Sequence, residues 1–554
     1  MIRITQIKMP LSHTQEDILR KAAGILHIKK AHILSFHIIK KSIDARKKPK
    51  ISVIYTLDVE IENEEKILRR IKSKQVQKAE DITYTFPQPG QTPLNTRPVI
   101  IGTGPAGLFC GYYLALHGYR PILLERGKRV EERTKDVDDF WRSGVLNTES
   151  NIQFGEGGAG TFSDGKLNTL VRDKNGRNRE VLRLFAETGA PEEIMYESKP
   201  HIGTDILVNV VKNLREKIVS MGADVRFESK VTDIEIENGR VKAVIINDNE
   251  RLETDIAVLA IGHSARDTFK MLHGHNIPMS PKAFAVGYRV EHPRKMIDLA
   301  QYGMTDNKLL QAADYKLTAK TAGGRGVYSF CMCPGGYVVN ASSEEGRLAI
   351  NGMSYSGRNA DNSNSAIIVS VTPDDFGGKD ALAGVEFQRR LEEKAYKLAG
   401  GKVPVETYGD FKQAVTGEEK QPSAILKEYP GFTPSAKGGC GFAPVHEILP
   451  KTLNDAFMEG MEQFGSIISG FNDSAVYVSG IESRTSSPVR IHRDESGQSD
   501  IKGLYPCGEG TGYAGGITSA AMDGILIAEK IAGEYFVRFR DELRRNEQKR
   551  SSNA

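Results

Sequence analysis

The stretch VIIGTGPAGLFCGYYLALHGYRPILLERG, Val99–Gly127, decides the fold. A short apolar run, Val99–Ile101, turns through Gly102, Gly104 and Gly107 in a G-x-G-x-x-G arrangement and opens a helix that leads to a second apolar run. Gly102 permits the tight turn, Gly104 lets a diphosphate reach the backbone, and Gly107 allows close helix–strand packing. Pro105 and Ala106 begin the helix, where free N–H groups and the dipole favour an anion. Glu125 ends the second run, 18 positions after Gly107, where an acid takes ribose hydroxyls, and Arg126 follows it. The pattern predicts a Rossmann-type dinucleotide site. Taken alone it does not separate NAD from FAD.

Working outward, the segment before this stretch, FPQPGQTPLNTRP (Phe86–Pro98), is rich in Pro and polar residues and reads as a linker. The residues ahead of it read as a small α+β domain. It has an extended start (Ile2 to Met9), a helix from about Thr14 to Leu26, β-rich runs at Ala31–Ile39 and Ile51–Ile61, and a charged helix around Glu64–Ser73. After Val99–Gly127 the chain alternates helix and strand up to DIAVLAIG. It passes through a long mixed region and returns with GLYPCGEGTGYAGGITSAAMDG, Gly503–Gly524. The end, RRNEQKRSSNA, reads as frayed.

The totals narrow the classes. A chain of 554 residues with 39% hydrophobic content is too long for one core and suggests two to four domains. Its 75 basic and 71 acidic side chains nearly cancel, which argues against a nucleic-acid or membrane-surface protein. Five scattered cysteines do not make a secreted disulfide framework. The start resembles no signal peptide and no apolar run reaches membrane length, so a cytoplasmic location is expected. Many of the 55 glycines fall in dense clusters, as expected where backbone approaches a ligand.

From Pro98 onward the chain resembles the FAD oxidoreductases with a glutathione-reductase-type flavin domain. Within them it is similar to a bacterial family of uncharacterised FAD-dependent dehydrogenases. The carrying segments are GTGPAG with Glu125, FGEGGAGTFSDGKLNT (Phe154–Thr169), AIGHSARDT (Ala260–Thr268), SFCMCPGG (Ser329–Gly336), ESRTSSPVRI (Glu482–Ile491) and the Gly503–Gly524 segment. KKSIDARKK (Lys40–Lys48) also looks like that family. The resemblance implies FAD as cofactor and an adenine-pairing strand at Val231. It also implies that Gly262 closes the nucleotide domain, with Ile261 where relatives have Thr. Gly508 and Glu509 stand where relatives usually carry Gly-Asp, so the longer Glu509 is expected to act through water. Gly515, Gly516 and Ile517 lead into a helix whose N–H groups would face the flavin N1/C2 carbonyl.

A second G-x-G-x-x-G, at Gly155, Gly157 and Gly160, has neither strand before it nor apolar helix after it. It reads as backbone wrapped around the flavin ring, through Gly158 and Gly160, with Thr161, Asp164 and Lys166 facing cofactor or substrate. With only one genuine fingerprint, either NAD(P)H docks directly on the flavin as a transient donor or the electrons come from another donor. Asp164, Lys166, Arg484 and Arg490 are the catalytic candidates; the two arginines could hold a carboxylate or phosphate. Cys331 and Cys333 are spaced C-x-C and lack the C-x-x-C geometry of flavin-linked reductases. Cys110 and Cys507 read as packing residues, and His263, His292, His446 and His492 as structural histidines. No metal site is expected.

The expected fold is α/β. A small α+β domain (1–95) precedes a Rossmann-type FAD domain (96–270 and 489–540), with a mixed α+β substrate domain (271–488) inserted. The expected function is an FAD-dependent oxidoreductase moving hydride through flavin N5 to or from a small molecule. Flavin-dependent tRNA or RNA modification, suggested by the basic Lys40–Lys50, and a non-catalytic redox sensor are the alternatives.

Overall fold

The computed structural model describes residues 1–80, 83–305 and 307–537. The 544–554 segment expected to fray therefore lies outside the described residues, as does the end of the 489–540 span. Among the described residues no helix is long and apolar enough to cross a membrane.

The fingerprint run forms the middle of a five-stranded parallel sheet. Val99–Ile101 lies between Ala257–Leu259 and Ile122–Leu124, with Leu504–Pro506 and Asp224–Arg226 at the edges. All three residues of the central strand are buried, as expected for a strand covered on both faces. The helix Pro105–Leu116 packs against the return helix Ile517–Glu534. Ten of its twelve residues are buried, so it is apolar all round rather than amphipathic. Its close approach to the return helix requires Gly524, where an added Cβ would lie 2.2 Å from the Ala106 carbonyl oxygen. A three-stranded antiparallel meander, Val231 to Glu253, branches off the parallel sheet.

The second large layer is a seven-stranded, mostly antiparallel sheet built on the long strands Phe284–Pro293 and Asn362–Val371. Tyr477–Glu482 flanks the first and Gly326–Cys333 the second. Phe284–Pro293 is buried along its whole length, and the helices Ala383–Ala399 and Lys451–Gly465 pack against this sheet. Val489–Ile491 then pairs with Met279–Pro281, so the two crossings between the sheets run side by side.

At the N-terminus, Ile33–Asp44, Ser52–Ile61, Ile2–Pro10 and Val76–Lys78 form a four-stranded sheet in that order. The helix Gln15–Leu26 begins in a capping box between Thr14 and Asp17 and buries Ile18, Ala22, Ala23 and Leu26. The charged helix is shorter than the sequence suggests, Glu64–Arg70.

The segment read as a linker is not free. Thr92–Leu94 pairs in parallel with Tyr535–Val537, Phe86 stacks on His117 at 3.9 Å, and the Gly90 amide donates to the Ala532 carbonyl. Its Pro and polar composition reflects irregular backbone laid along a surface rather than loose tether.

Candidate active site

A cavity of about 350 Å³ opens between the two large sheets, at the carboxyl ends of the central parallel strands. That is where an open parallel sheet offers helix N-termini and free backbone to a ligand. Two helices point their N-termini into it. Gly104 caps one and Gly516 the other; neither has a side-chain cap, and neither carries an acid in its first turn. Their free N–H groups therefore face the cavity unmasked by any carboxylate.

Gly102 (φ 102°) makes the turn, and a Cβ there would sit 2.4 Å from the Ala260 carbonyl oxygen. The lining faces of Gly262, Gly515 and Gly516 are bare, with nothing within 4 Å of a Cβ position. Opposite them the second glycine cluster lies on the fingerprint turn. The Gly157 amide donates to the Thr103 carbonyl, and a Cβ on Gly158 would come 3.1 Å from Gly104 Cα. A Cβ on Gly160 would come 2.8 Å from Ile517. The cluster thus bridges both helix starts.

Arg133 holds that bridge from beneath. Fully buried, it donates to the carbonyls of Asn151, Ile152, Glu156 and Gly158 at 2.6–3.0 Å. Burial pushes its pKa down to about 10, opposed by Glu125 and Glu156. Glu125 is buried too. Its carboxylate accepts from the Thr103 amide and hydroxyl and from the Gly127 and Gly155 amides, at 2.8–3.0 Å, while still lining the cavity. It therefore ties the two glycine loops together.

Of the residues expected from sequence, Gly102, Gly104, Pro105, Ala106, Glu125 and Arg126 line the cavity, as do Gly158, Gly160, Val231 and Gly262. So do Glu509, Gly516, Ile517, Lys166 and Arg484. Arg126 spans Asp267 (2.6 Å) and the Phe154 ring (4.3 Å), and Glu509 lies 3.4 Å from His263 Nδ1.

Five expected residues stand behind the wall. Gly107 and Gly508 pack against Gly102 and Ala106, where a Cβ would be 1.9 and 2.7 Å away. Thr161, expected to face the cofactor, is buried under the loop with its hydroxyl unpartnered. Asp164 is enclosed by Lys166 (2.6 Å), Arg358 and Ser354. Its burial would raise its pKa, but Lys166 and Arg358 outweigh that and hold it at about 2. Asp164 is thus held as the counter-ion of Lys166 and Arg358. Arg490 donates to the Gly512 carbonyl at 2.8 Å and stacks over Tyr513.

Arg484 reaches the cavity but is already committed: it chelates the buried Glu392 at 2.9–3.0 Å, a carboxylate shared with Arg266. Both arginines thus have partners within the chain, Arg484 on Glu392 and Arg490 on Gly512. Sequence reasoning missed the wall contributed by the mixed sheet, namely Phe330, Cys331, Asn351, Glu482 and Thr485. Its signal was the SFCMC segment, whose spacing had argued against redox chemistry. Among the described residues no group of three or more His, Cys, Asp or Glu is placed to hold a metal ion.

Residues 283–485 match a family described as FAD-dependent protein, C-terminal domain-like, and residues 95–259 match an FAD binding domain. Residues 1–60 match a domain of unknown function. An uncharacterised protein of Clostridium beijerinckii (strain ATCC 51743 / NCIMB 8052) is 45% identical over 539 residues, covering 96% of this chain and 99% of that one. The chain belongs to this family of FAD-dependent proteins. Its cofactor is FAD. Solved structures similar to this FAD-dependent protein include glycine oxidase from Bacillus cereus ATCC 14579 (13% identity, 79% of this chain and 95% of that, TM-score 0.33). Another is L-proline dehydrogenase from P. horikoshii (14%, 79% and 94%, TM-score 0.32). TM-scores this low bear on neither substrate nor reaction.

The donor set fits the cofactor. Two uncapped helix ends and bare glycine backbone suit a diphosphate and an electron-rich ring carbonyl, and Glu125 and Arg126 suit the adenosine end.

Proposed function

We propose that this FAD-dependent protein is a cytoplasmic oxidoreductase, a dehydrogenase or reductase acting on a small molecule, with NAD(P)H as a transient donor. The observation that carries this reading is the cavity itself. It runs without a break from the fingerprint turn to a wall supplied by the other sheet, where Lys166, Cys331, Asn351 and Glu482 stand together. A cofactor held by the glycine loops leaves that wall for a second molecule. FAD supplies hydride chemistry at its ring N5 when bound. The chain orients and shields. The uncapped N-terminus at Gly516 favours negative charge on the ring, and Lys166 keeps a cation at the wall. Burial disfavours that cation, but Asp164 beside it outweighs burial and raises its pKa. All five cysteines are unpaired, as suits a reducing compartment.

The basic stretch near Lys40–Lys50 gives an RNA substrate no comparable support. Lys41 pairs with Glu197 (2.7 Å), Arg46 with Asp44 (2.8 Å), and Lys48 donates to the Ala300 carbonyl.

Anaerobic titration of the flavin-loaded protein with NADH and NADPH, followed by a screen of acceptors, tests the proposal. Rapid bleaching of the flavin absorbance and reoxidation by an organic acceptor are expected. A flavin that no donor reduces and no acceptor reoxidises would sink it.

A further inference from the structure

We propose that Cys331 and Cys333 form a dithiol–disulfide couple that exchanges two electrons with the flavin. The inference rests on the reading that FAD occupies the cavity, and it adds a second redox centre to that site.

The strand Gly326–Cys333 loses register at this point: Phe330 faces Ala366, but Cys333 faces Asn364, so the cysteine strand carries one extra residue. Cys331 takes up the slack with a left-handed backbone, φ 43°. Among the described residues no other non-glycine residue lining the cavity has such a backbone. Bulges re-aim side chains, and strain of this kind persists only where the surroundings enforce it.

Here they do. Arg289, fully buried, donates to the Cys331 carbonyl (3.1 Å), lies 3.8 Å from Cys333 Sγ, and is itself fixed by Asn364 (2.7 Å) and Glu482 (2.9 Å). Lys166 donates to the Met332 carbonyl, between the two cysteines. The Cys333 thiol donates to the Cys331 carbonyl at 3.2 Å, which folds its side chain back toward its neighbour. The bulge and the left-handed Cys331 break the strand alternation that would otherwise set residues 331 and 333 apart in a C-x-C pair. Cys331 lines the cavity while Cys333 is wholly buried behind it.

Position and charge agree. The residue after Lys166, Leu167, accepts through its carbonyl from Thr518 at the start of the return helix (2.8 Å). The cysteines are thus joined through Lys166 to the helix N-terminus expected to face the flavin ring. The neighbouring Cys333 thiol, with Arg289 and Lys166 nearby, brings the Cys331 pKa down to about 6; burial pushes that of Cys333 well up. The two shifts favour negative charge on the sulfur that faces the cavity over the one behind it. This is the arrangement a thiolate-driven exchange requires.

The net step is balanced. An S–S bond forms between Cys331 and Cys333 and the Cys333 S–H bond breaks. Two electrons and that proton pass to oxidised FAD, giving the reduced anion. The reverse reaction consumes reduced flavin and restores thiolate and thiol.

The test uses air-oxidised, flavin-loaded protein. Anaerobic dithionite titration should consume four electrons per FAD, two for the flavin and two for a disulfide. Denatured without reductant, the chain should show three reactive thiols, rising to all five after reduction. Peptide mass mapping should join Cys331 to Cys333. Cys331→Ser and Cys333→Ser should each take up two electrons per FAD and show four thiols in both states. Uptake of two electrons by the wild-type protein with five thiols throughout overturns the proposal, as does a disulfide mapped to any other pair. The wild-type measurements decide even if a variant fails to fold. A flavin that a donor still bleaches, with five thiols throughout, would leave the oxidoreductase reading standing. Failure to retain FAD would defeat both.

Discussion

Replacing Arg133 by Met keeps the buried aliphatic stem but removes every donor beneath the second glycine cluster. Four carbonyls lose a charged hydrogen-bond partner. At roughly 1.5 kcal/mol each, the low end for bonds to a charged group, that costs about 6 kcal/mol. Removing a desolvated guanidinium returns part of this. Its pKa is held down to about 10 by burial, equivalent to roughly 3 kcal/mol. The balance is a loss of about 3 kcal/mol, located in the loop that faces the fingerprint turn across Gly104 and Gly158. Since the loop closes over the cofactor position, the loss should fall mainly on FAD affinity, about a hundredfold in Kd. Titration of apoprotein with FAD, followed by quenching of flavin fluorescence, measures it directly. A Kd within threefold of wild type, with Tm unchanged in the absence of FAD, would show that the loop keeps its shape without Arg133.

Three further outcomes follow from the same structure. Gly524→Ala forces a methyl to 2.2 Å from the Ala106 carbonyl and should cost about 1–3 kcal/mol, whereas Gly533→Ala, in the same helix with open space around its Cβ, should stabilise by up to about 1 kcal/mol; Tm of the two variants separates them. Arg484→Met leaves the buried Glu392 with one arginine fewer and should destabilise by about 3–5 kcal/mol in urea unfolding; a changed KM with unchanged stability would restore its role as a substrate anchor. Burial holds the His292 pKa at about 4, below its unfolded value, so its contribution is full above about pH 6.5 and falls by about 3 kcal/mol towards pH 4. His292→Gln should flatten that acid limb of the stability profile, and an unchanged slope would refute the assignment.

Much of the nucleotide half was legible because its constraints are local. Gly102, Gly107 and Glu125 are dictated by a turn, a close packing and a strand end within one short stretch, and each can be read without knowing the rest of the chain. The helix Gln15–Leu26 was legible for a similar reason, since its apolar Ile18 and Ala22 stand one turn apart on the face it buries. What failed depends on partners distant in sequence. Nothing near Arg484 reveals Glu392, and nothing near Asp164 reveals Arg358 or Ser354, so the internal partners of these groups could not be foreseen. The bulge at Cys331 was not foreseen because it comes from a slip in register against Asn362–Val371, which only the assembled sheet displays. Phe86–Pro98 was misjudged because composition cannot show that a polar segment has been pinned down by Tyr535–Val537.

The parallel sheet takes its central strand from Val99–Ile101 and an edge strand from Leu504–Pro506, with the entire mixed sheet threaded between them. On a translating ribosome adding 5–20 residues each second, the first half of the cofactor site waits on the order of 20 to 80 s for its second half. Throughout that interval the fingerprint helix has no return helix to cover it, and its apolar surface is open to chaperones and to other nascent chains. Flavin capture can only follow the emergence of Gly516 and the helix behind it. Loading with cofactor therefore reports that synthesis has run through both halves of the site.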